Sequence, residues 1–342
     1  MSSYPPSSPR LSPDDALPPV EPPNAGFILQ LFVVPGIIVV VVVMIWLMFN
    51  WLAQMGNDRD AFVRQLSRNN EARWQAAFNL ATALRAERGA STPKLTADPQ
   101  LAQQLADILD REIDAGSMDE KPITLRIYLC RALGEFRVTE GLPTLVKAAT
   151  TERDDKEGDV RRAAIEGIAI LAANFKPGDK RFTEDRSLQD ALLRAAGDPD
   201  ARTRAAAAVA MGVIGGPAFV ERLHAMLEDT HPDVRYNAAA RLAHQGDIAA
   251  ESVLVDMLDP NQEAGVEVEK HEDMRPFKRT LITVNALRAT AQLAEANPNA
   301  DLEPLRAAVK KLVDSNLQGE VGVEAINVQR QLERRASTPA GK

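Results

Sequence analysis

The sequence predicts an all-α protein: one N-terminal transmembrane helix, then an α-solenoid of about six helix pairs closed by C-terminal capping helices. Three observations carry this prediction. First, five segments repeat one helical design: Glu71-Ala72-Arg73, Thr124-Leu125-Arg126, Asp159-Val160-Arg161, Asp200-Ala201-Arg202 and Asp233-Val234-Arg235. Counted from the apolar residue before each Arg, the +4 positions are Ala76, Leu129, Ala164, Ala205 and Ala238, and the +8 positions are Leu80, Leu133, Ile168, Val209 and Leu242. Positions 0, +4 and +8 share one face of a helix, so each copy presents an apolar stripe to its neighbour. Second, the Arg residues recur at intervals of 53, 35, 41 and 33 residues, the period of a stacked two-helix repeat. Third, Phe27–Ala53 contains no charged residue.

The chain of 342 residues opens on a Pro-rich tail, residues 1–26, with eight prolines in a stretch that has almost nothing to bury. It reads as an extended, disordered spacer. The apolar run that follows predicts a membrane helix over 27–54. At ~1.5 Å per residue, 27 residues give roughly 40 Å, longer than a ~30 Å hydrocarbon core. A signal peptide fits poorly, because the leader is acidic, the core is too long and Phe49-Asn50-Trp51-Leu52-Ala53 lacks a small-x-small cleavage site. Orientation follows from basic flanks: only Arg10 precedes the run, whereas Arg59, Arg64, Arg68 and Arg73 follow it. The expectation is a single-pass anchor through 27–53, the repeat domain in the cytoplasm and the short tail on the opposite side.

The solenoid is expected over 58–335. Paired helices are predicted at roughly 58–67 with 71–86, 98–113 with 122–135, 140–150 with 159–175, 187–197 with 200–214, 217–228 with 233–245, and 248–258 with 277–296. Closing helices are predicted near 301–315 and 320–335, with a disordered end at 336–342. Breakers such as Gly197-Asp198-Pro199, Gly215-Gly216-Pro217 and His231-Pro232 separate the helices. Residues 259–276 form a mainly acidic insertion in the sixth pair, expected as an exposed loop on one rim. Asp273-Met274-Arg275 opens like another copy, but Lys278 and Arg279 stand at its +4 and +5 positions. The sixth helix must therefore sit differently.

The Asp-Val-Arg opening, the small apolar residues at +4 and +5 and the Leu or Ile at +8 resemble the HEAT-repeat family, particularly the short HEAT-like repeats also found in phycobilin lyases. The resemblance runs over about 58–300 and is strongest over 159–245. It implies a solenoid that serves mostly as a binding scaffold and occasionally as a host for enzymes. Independently of it, Asp159, Asp200 and Asp233 stand where a carboxylate caps a helix N-terminus. Arg73, Arg126, Arg161, Arg202 and Arg235 stand just off the buried stripe, where a guanidinium can bridge neighbouring repeats.

Chemistry is hard to locate. Net charge is −8, and with Arg10 against Asp14, Asp15 and Glu21 the first 53 residues account for −2 of it. No basic stripe for nucleic acid is implied. The four histidines lack metal-ligand spacing, and the single His-Glu dipeptide, His271-Glu272, falls in the insertion, unlike the several that hold two irons in HEAT-like hydroxylases. Cys130, the only cysteine, occupies a small buried position of the register. No phosphate-cradling Gly loop or nucleophile elbow is present. The expectation is a membrane-anchored scaffold that binds another protein, with no catalysis and no cofactor. Its rivals are an accessory lyase or hydrolase with its site in the array, and an integral subunit of a larger membrane complex.

Overall fold

The computed structural model describes residues 25–55, 59–67, 72–315, 317 and 319–336. The disordered tail expected at 1–26 and the terminus at 336–342 fall almost wholly outside them. The chain divides into two units, residues 1–58 and 59–342.

The first unit holds α1 (Ala25–Met55), a helix of 31 residues that continues through Pro35. Its described large apolar side chains, from Leu29 to Phe49, are exposed. Among the described residues no helix is long and apolar enough to cross a membrane. The membrane helix expected at 27–54 is therefore not a feature the described residues carry.

The second unit is a helical stack with no strand among its described residues. Its elements are α2 (Arg59–Ser67), α3 (Arg73–Ala86), α4 (Pro99–Ala115), α5 (Glu120–Gly134), α6 (Leu142–Thr150), α7 (Gly158–Ala173), α8 (Lys180–Thr183) and α9 (Arg186–Ala195). They continue with α10 (Ala201–Ile214), α11 (Pro217–Met226), α12 (Pro232–His244), α13 (Glu251–Met257), α14 (Ala264–Glu267), α15 (Arg275–Ala296), α16 (Glu303–Asp314) and α17 (Glu320–Ala336). The second helices of successive pairs pack side by side in the order α3, α5, α7, α10, α12, α15, α17. This is the architecture the repeating stripe predicts.

Local chemistry sets the helix ends. At α4, Asp98 accepts from the backbone N–H groups of Gln100 (2.9 Å) and Leu101 (3.1 Å), Pro99 occupies the first turn, and Gly116 ends the helix at φ 63°. Pairs are held by small residues. The backbones of α5 and α7 meet where an added Cβ on Gly134 would lie 2.8 Å from the Gly167 Cα and one on Gly167 2.7 Å from the Cys130 carbonyl oxygen. Between α3 and α5, the buried Glu135 carboxylate takes Arg85 at 3.2 Å and Arg88 at 2.5 Å.

The insertion departs from its expected form. It is not a free loop on the rim, because its helix α14 is wedged between α12 and α15. Val266 is buried, and a Cβ on Gly265 would lie 2.4 Å from Tyr236 Cε2 and 2.9 Å from Ile282 Cδ1. Gln262 donates its side-chain amide to the Tyr236 hydroxyl, and Arg279 donates to the carbonyl oxygens of Pro260 (3.2 Å) and Gln262 (2.7 Å). The acidic residues stay at the surface while the apolar centre of the segment is buried, so one stretch fills two roles.

Candidate functional site

The repeated Arg residues build a ladder from repeat to repeat. Arg73 reaches Glu112 at 2.8 Å and donates to the Leu66 carbonyl at 2.7 Å. Arg126 is 0% exposed, bonds the carbonyls of Glu112 (3.2 Å) and Ser117 (2.9 Å), and faces Glu157 at 3.8 Å. Burial holds its guanidinium below the ordinary arginine range, and Glu157 opposes the shift. Arg161 reaches Asp198 at 3.9 Å and the Thr151 carbonyl at 3.5 Å. Arg235 donates to the carbonyls of Asp229 (2.7 Å) and Thr230 (3.2 Å).

Arg202 is the exception. Its side chain is 69% exposed and, among the described residues, bonds Asp200 alone, at 3.2 Å. The ladder position belongs to Arg204, which is 15% exposed, grips Asp229 through two 2.8 Å bonds and donates to the carbonyls of Asp198 and Pro199. The fourth copy is thus displaced by two residues, and its stripe reads Thr203, Ala207 and Met211, all buried. In the sixth copy two arginines share the role: Arg275 donates to the Glu269 carbonyl at 3.3 Å, and Arg279 to those of Pro260 and Gln262. Asp198 and Asp229 share a second task, since each also accepts from the backbone N–H two residues on, Asp200 at 2.8 Å and His231 at 2.8 Å.

Of the three expected caps, only Asp200 caps its helix, accepting from the Arg202 N–H. At α12 the cap is His231, whose Nδ1 accepts from the Asp233 N–H at 3.3 Å, and Asp233 itself pairs with Lys278 at 3.0 Å. Asp159 lies inside the first turn of α7 and pairs with Arg162 at 2.7 Å, while Asp154 caps the 3-10 turn before that helix. The physical reason is common to both misplacements: each helix begins one residue earlier than the Asp.

The second helices α7, α10, α12 and α15 together line a groove of about 750 Å³. Ile170, Val209, Leu281 and Ile282 give it apolar walls. Its charged side chains are mostly matched. Arg162 faces Asp159 (2.7 Å), Asp200 (3.6 Å) and Glu166 (3.8 Å), Arg202 bonds Asp200, and Lys278 bonds Asp233. Arg241 differs: among the described residues it meets no carboxylate and makes no hydrogen bond. Its stem lies across Gly212 on α10, where a Cβ would come within 2.2 Å of the Arg241 Cβ and 2.8 Å of its Cδ. Desolvation alone lowers its pKa, and together with Arg241 it also lowers that of neighbouring His244.

Elsewhere, His224 bonds Asp247 at 2.6 Å. Cys130 is fully buried, and burial pushes its thiol up to about 12. Among the described residues, no three His, Cys, Asp or Glu side chains converge as a metal ion would require. The groove can hold a ligand by shape, apolar contact and one guanidinium.

Residues 188–267 match the family model for HEAT repeats. That stretch runs from α9 to α14 and supplies much of the groove. Several solved structures resemble the chain at low identity. One is the complex of CpcE and CpcF of phycocyanin lyase from Nostoc sp. PCC7120, at 17% identity and TM-score 0.48, covering 80% of this chain and 94% of that one. Another is YibA of E. coli, at 17% identity and TM-score 0.35, covering 82% and 96%. A third is an engineered protein, at 20% identity and TM-score 0.35, covering 82% and 98%. No curated protein matches the sequence.

Proposed function

We propose that this chain is a membrane-anchored HEAT-repeat scaffold that binds another protein in the groove over α7, α10, α12 and α15, without catalysis of its own. The observation that carries the reading is the groove itself: apolar walls, charged groups that mostly pair with one another, and a volume of about 750 Å³. A solenoid of this kind presents its row of second helices as one continuous surface.

The anchor rests on α1. Its 31 residues contain no charge and would extend ~46 Å at ~1.5 Å per residue, and its described large apolar side chains from Val33 to Phe49 are exposed, which suits lipid better than water. The basic residues that follow it in the sequence favour a cytoplasmic solenoid. A cysteine introduced at Ser7 should be labelled from outside the cell and one at Ser337 should not; the reverse pattern overturns this topology. Purification of the full chain in mild detergent should bring down a protein partner that Val209→Glu releases without loss of helicity. Partner retention by Val209→Glu, or turnover of a small molecule by the purified chain, would refute the scaffold reading. A partner held through α1 alone would point instead to a subunit of a larger membrane complex.

A further inference from the structure

We propose that the segment seated in this groove is acidic, and that one of its carboxylates pairs with Arg241. The proposal rests on the protein-binding reading of the groove and adds the chemistry of the occupant.

Charge matching is the first argument. Arg162, Arg202 and Lys278 each already face a carboxylate of the chain, so an incoming anion gains little from them. Arg241 alone among the described charged residues of the groove is uncompensated, and its surroundings have removed part of its hydration. A guanidinium in that state regains favourable interaction from a carboxylate, whose two oxygens match its planar fork.

The second argument is fixation. Gly212 has no side chain, and the Arg241 stem occupies the space that a Cβ would fill. The cation is thus held against α10, and little rotamer freedom remains to be lost when a partner docks. Val209 and Leu281 flank the same groove, so apolar side chains beside the acid complete the fit.

One unpaired guanidinium suits a single carboxylate and not a polyanion, and the chain's overall charge of −8 opposes nucleic acid. Four helices at interaxial distances of roughly 8–10 Å span about 25–30 Å, which an extended peptide covers with about eight residues at ~3.3 Å each. The occupant is therefore a short acidic segment with apolar neighbours.

A phage-displayed library of random dodecapeptides, selected on the full chain in nanodiscs, tests this. The enriched peptides should share an Asp or Glu flanked by apolar residues. Arg241→Gln should weaken them roughly tenfold to a hundredfold, as expected for loss of a charge-assisted pair, and Arg241→Lys should restore part of the affinity. Circular dichroism of both variants establishes that they are folded. Peptides that share no acid, or that bind Arg241→Gln as well as the parent, overturn the carboxylate assignment, and the groove reading survives if Val209→Glu still abolishes binding. Peptides indifferent to Val209→Glu overturn the groove reading itself. Failure to enrich any peptide overturns both.

Discussion

Arg202 and Arg204 lie two residues apart at the start of one helix, and their exchange of roles can be measured. Truncating Arg204 to Ala removes a two-bond grip on Asp229 with both oxygens at 2.8 Å, and two further bonds to the carbonyls of Asp198 and Pro199. Both side chains of the pair are only 13–15% exposed, so water replaces the lost partner poorly. Hydrogen bonds to a charged group contribute about 1.5–3 kcal/mol each in buried settings, and breaking a fully buried pair costs about 3–5 kcal/mol. Discounted for partial exposure, Arg204→Ala should cost about 2–3 kcal/mol. Arg202→Ala removes one bond from a side chain that is 69% exposed, and should cost less than about 0.5 kcal/mol. Urea denaturation followed by far-UV circular dichroism compares the two. Asp229 adds a pH signature. Its pair with Arg204 holds its carboxyl below the ordinary 3.8, so the folded state binds that proton less readily than the unfolded state. The stabilisation is fully present above pH 3.8 and fades as pH falls through the lower, folded-state value. The gap between parent and Arg204→Ala should narrow in that acidic window. Equal losses for the two variants, or a larger loss for Arg202→Ala, would refute the displaced register.

Three further outcomes follow from burial. Ala238 is 0% exposed between packed helices whereas Ala205 is 9% exposed on the groove wall, so Ala238→Asp should cost more than about 4 kcal/mol and Ala205→Asp less than about 2 kcal/mol in the same denaturation assay. Deleting 261–271 removes the buried Val266 and the Gln262 carbonyl that Arg279 bonds; at about 1.5–3 kcal/mol for the side chain and ~1 kcal/mol for the bond, the loss should be about 3 kcal/mol, and an unchanged midpoint would mean that α14 is not a wedge. Cys130, with its thiol pushed up to about 12, should resist a water-soluble disulfide reagent in the folded chain and react once urea unfolds it; rapid labelling of folded protein would contradict its burial.

The helix pairs were legible because the stripe of small and branched apolar residues repeats wherever one helix covers the next. The exceptions have local causes. In the fourth copy, Asp200-Ala201-Arg202 imitates the motif while a polar residue, Thr203, takes the buried first position; its hydroxyl bonds the Asp200 carboxylate at 3.1 Å, which lets it sit inside. The run Ala205–Ala208 then fits either register equally well, so pattern alone does not choose between them. The acidic composition of 259–276 outweighed its short apolar centre, Ala264-Gly265-Val266, in a reading based on average polarity. Arg241 carried no signal at all. Its significance depends on Gly212, which lies on a different helix and reads in isolation as a weak point in α10.

The glycine seam between α5 and α7 has a mechanical consequence. Where backbones touch directly, as at Gly134 and Gly167, no layer of side chains remains to shear or change rotamer, so this joint resists bending and twisting. The joint between α12 and α15 is built differently, with the short α14 interposed and Tyr236 and Ile282 meeting across Gly265. Side chains there can slide over one another at small cost. The array therefore has a stiff joint between α5 and α7 and a compliant one at the edge of the groove. Strain imposed by a bulky partner or by tension on the chain would collect at α14 sooner than at the joint of α5 and α7.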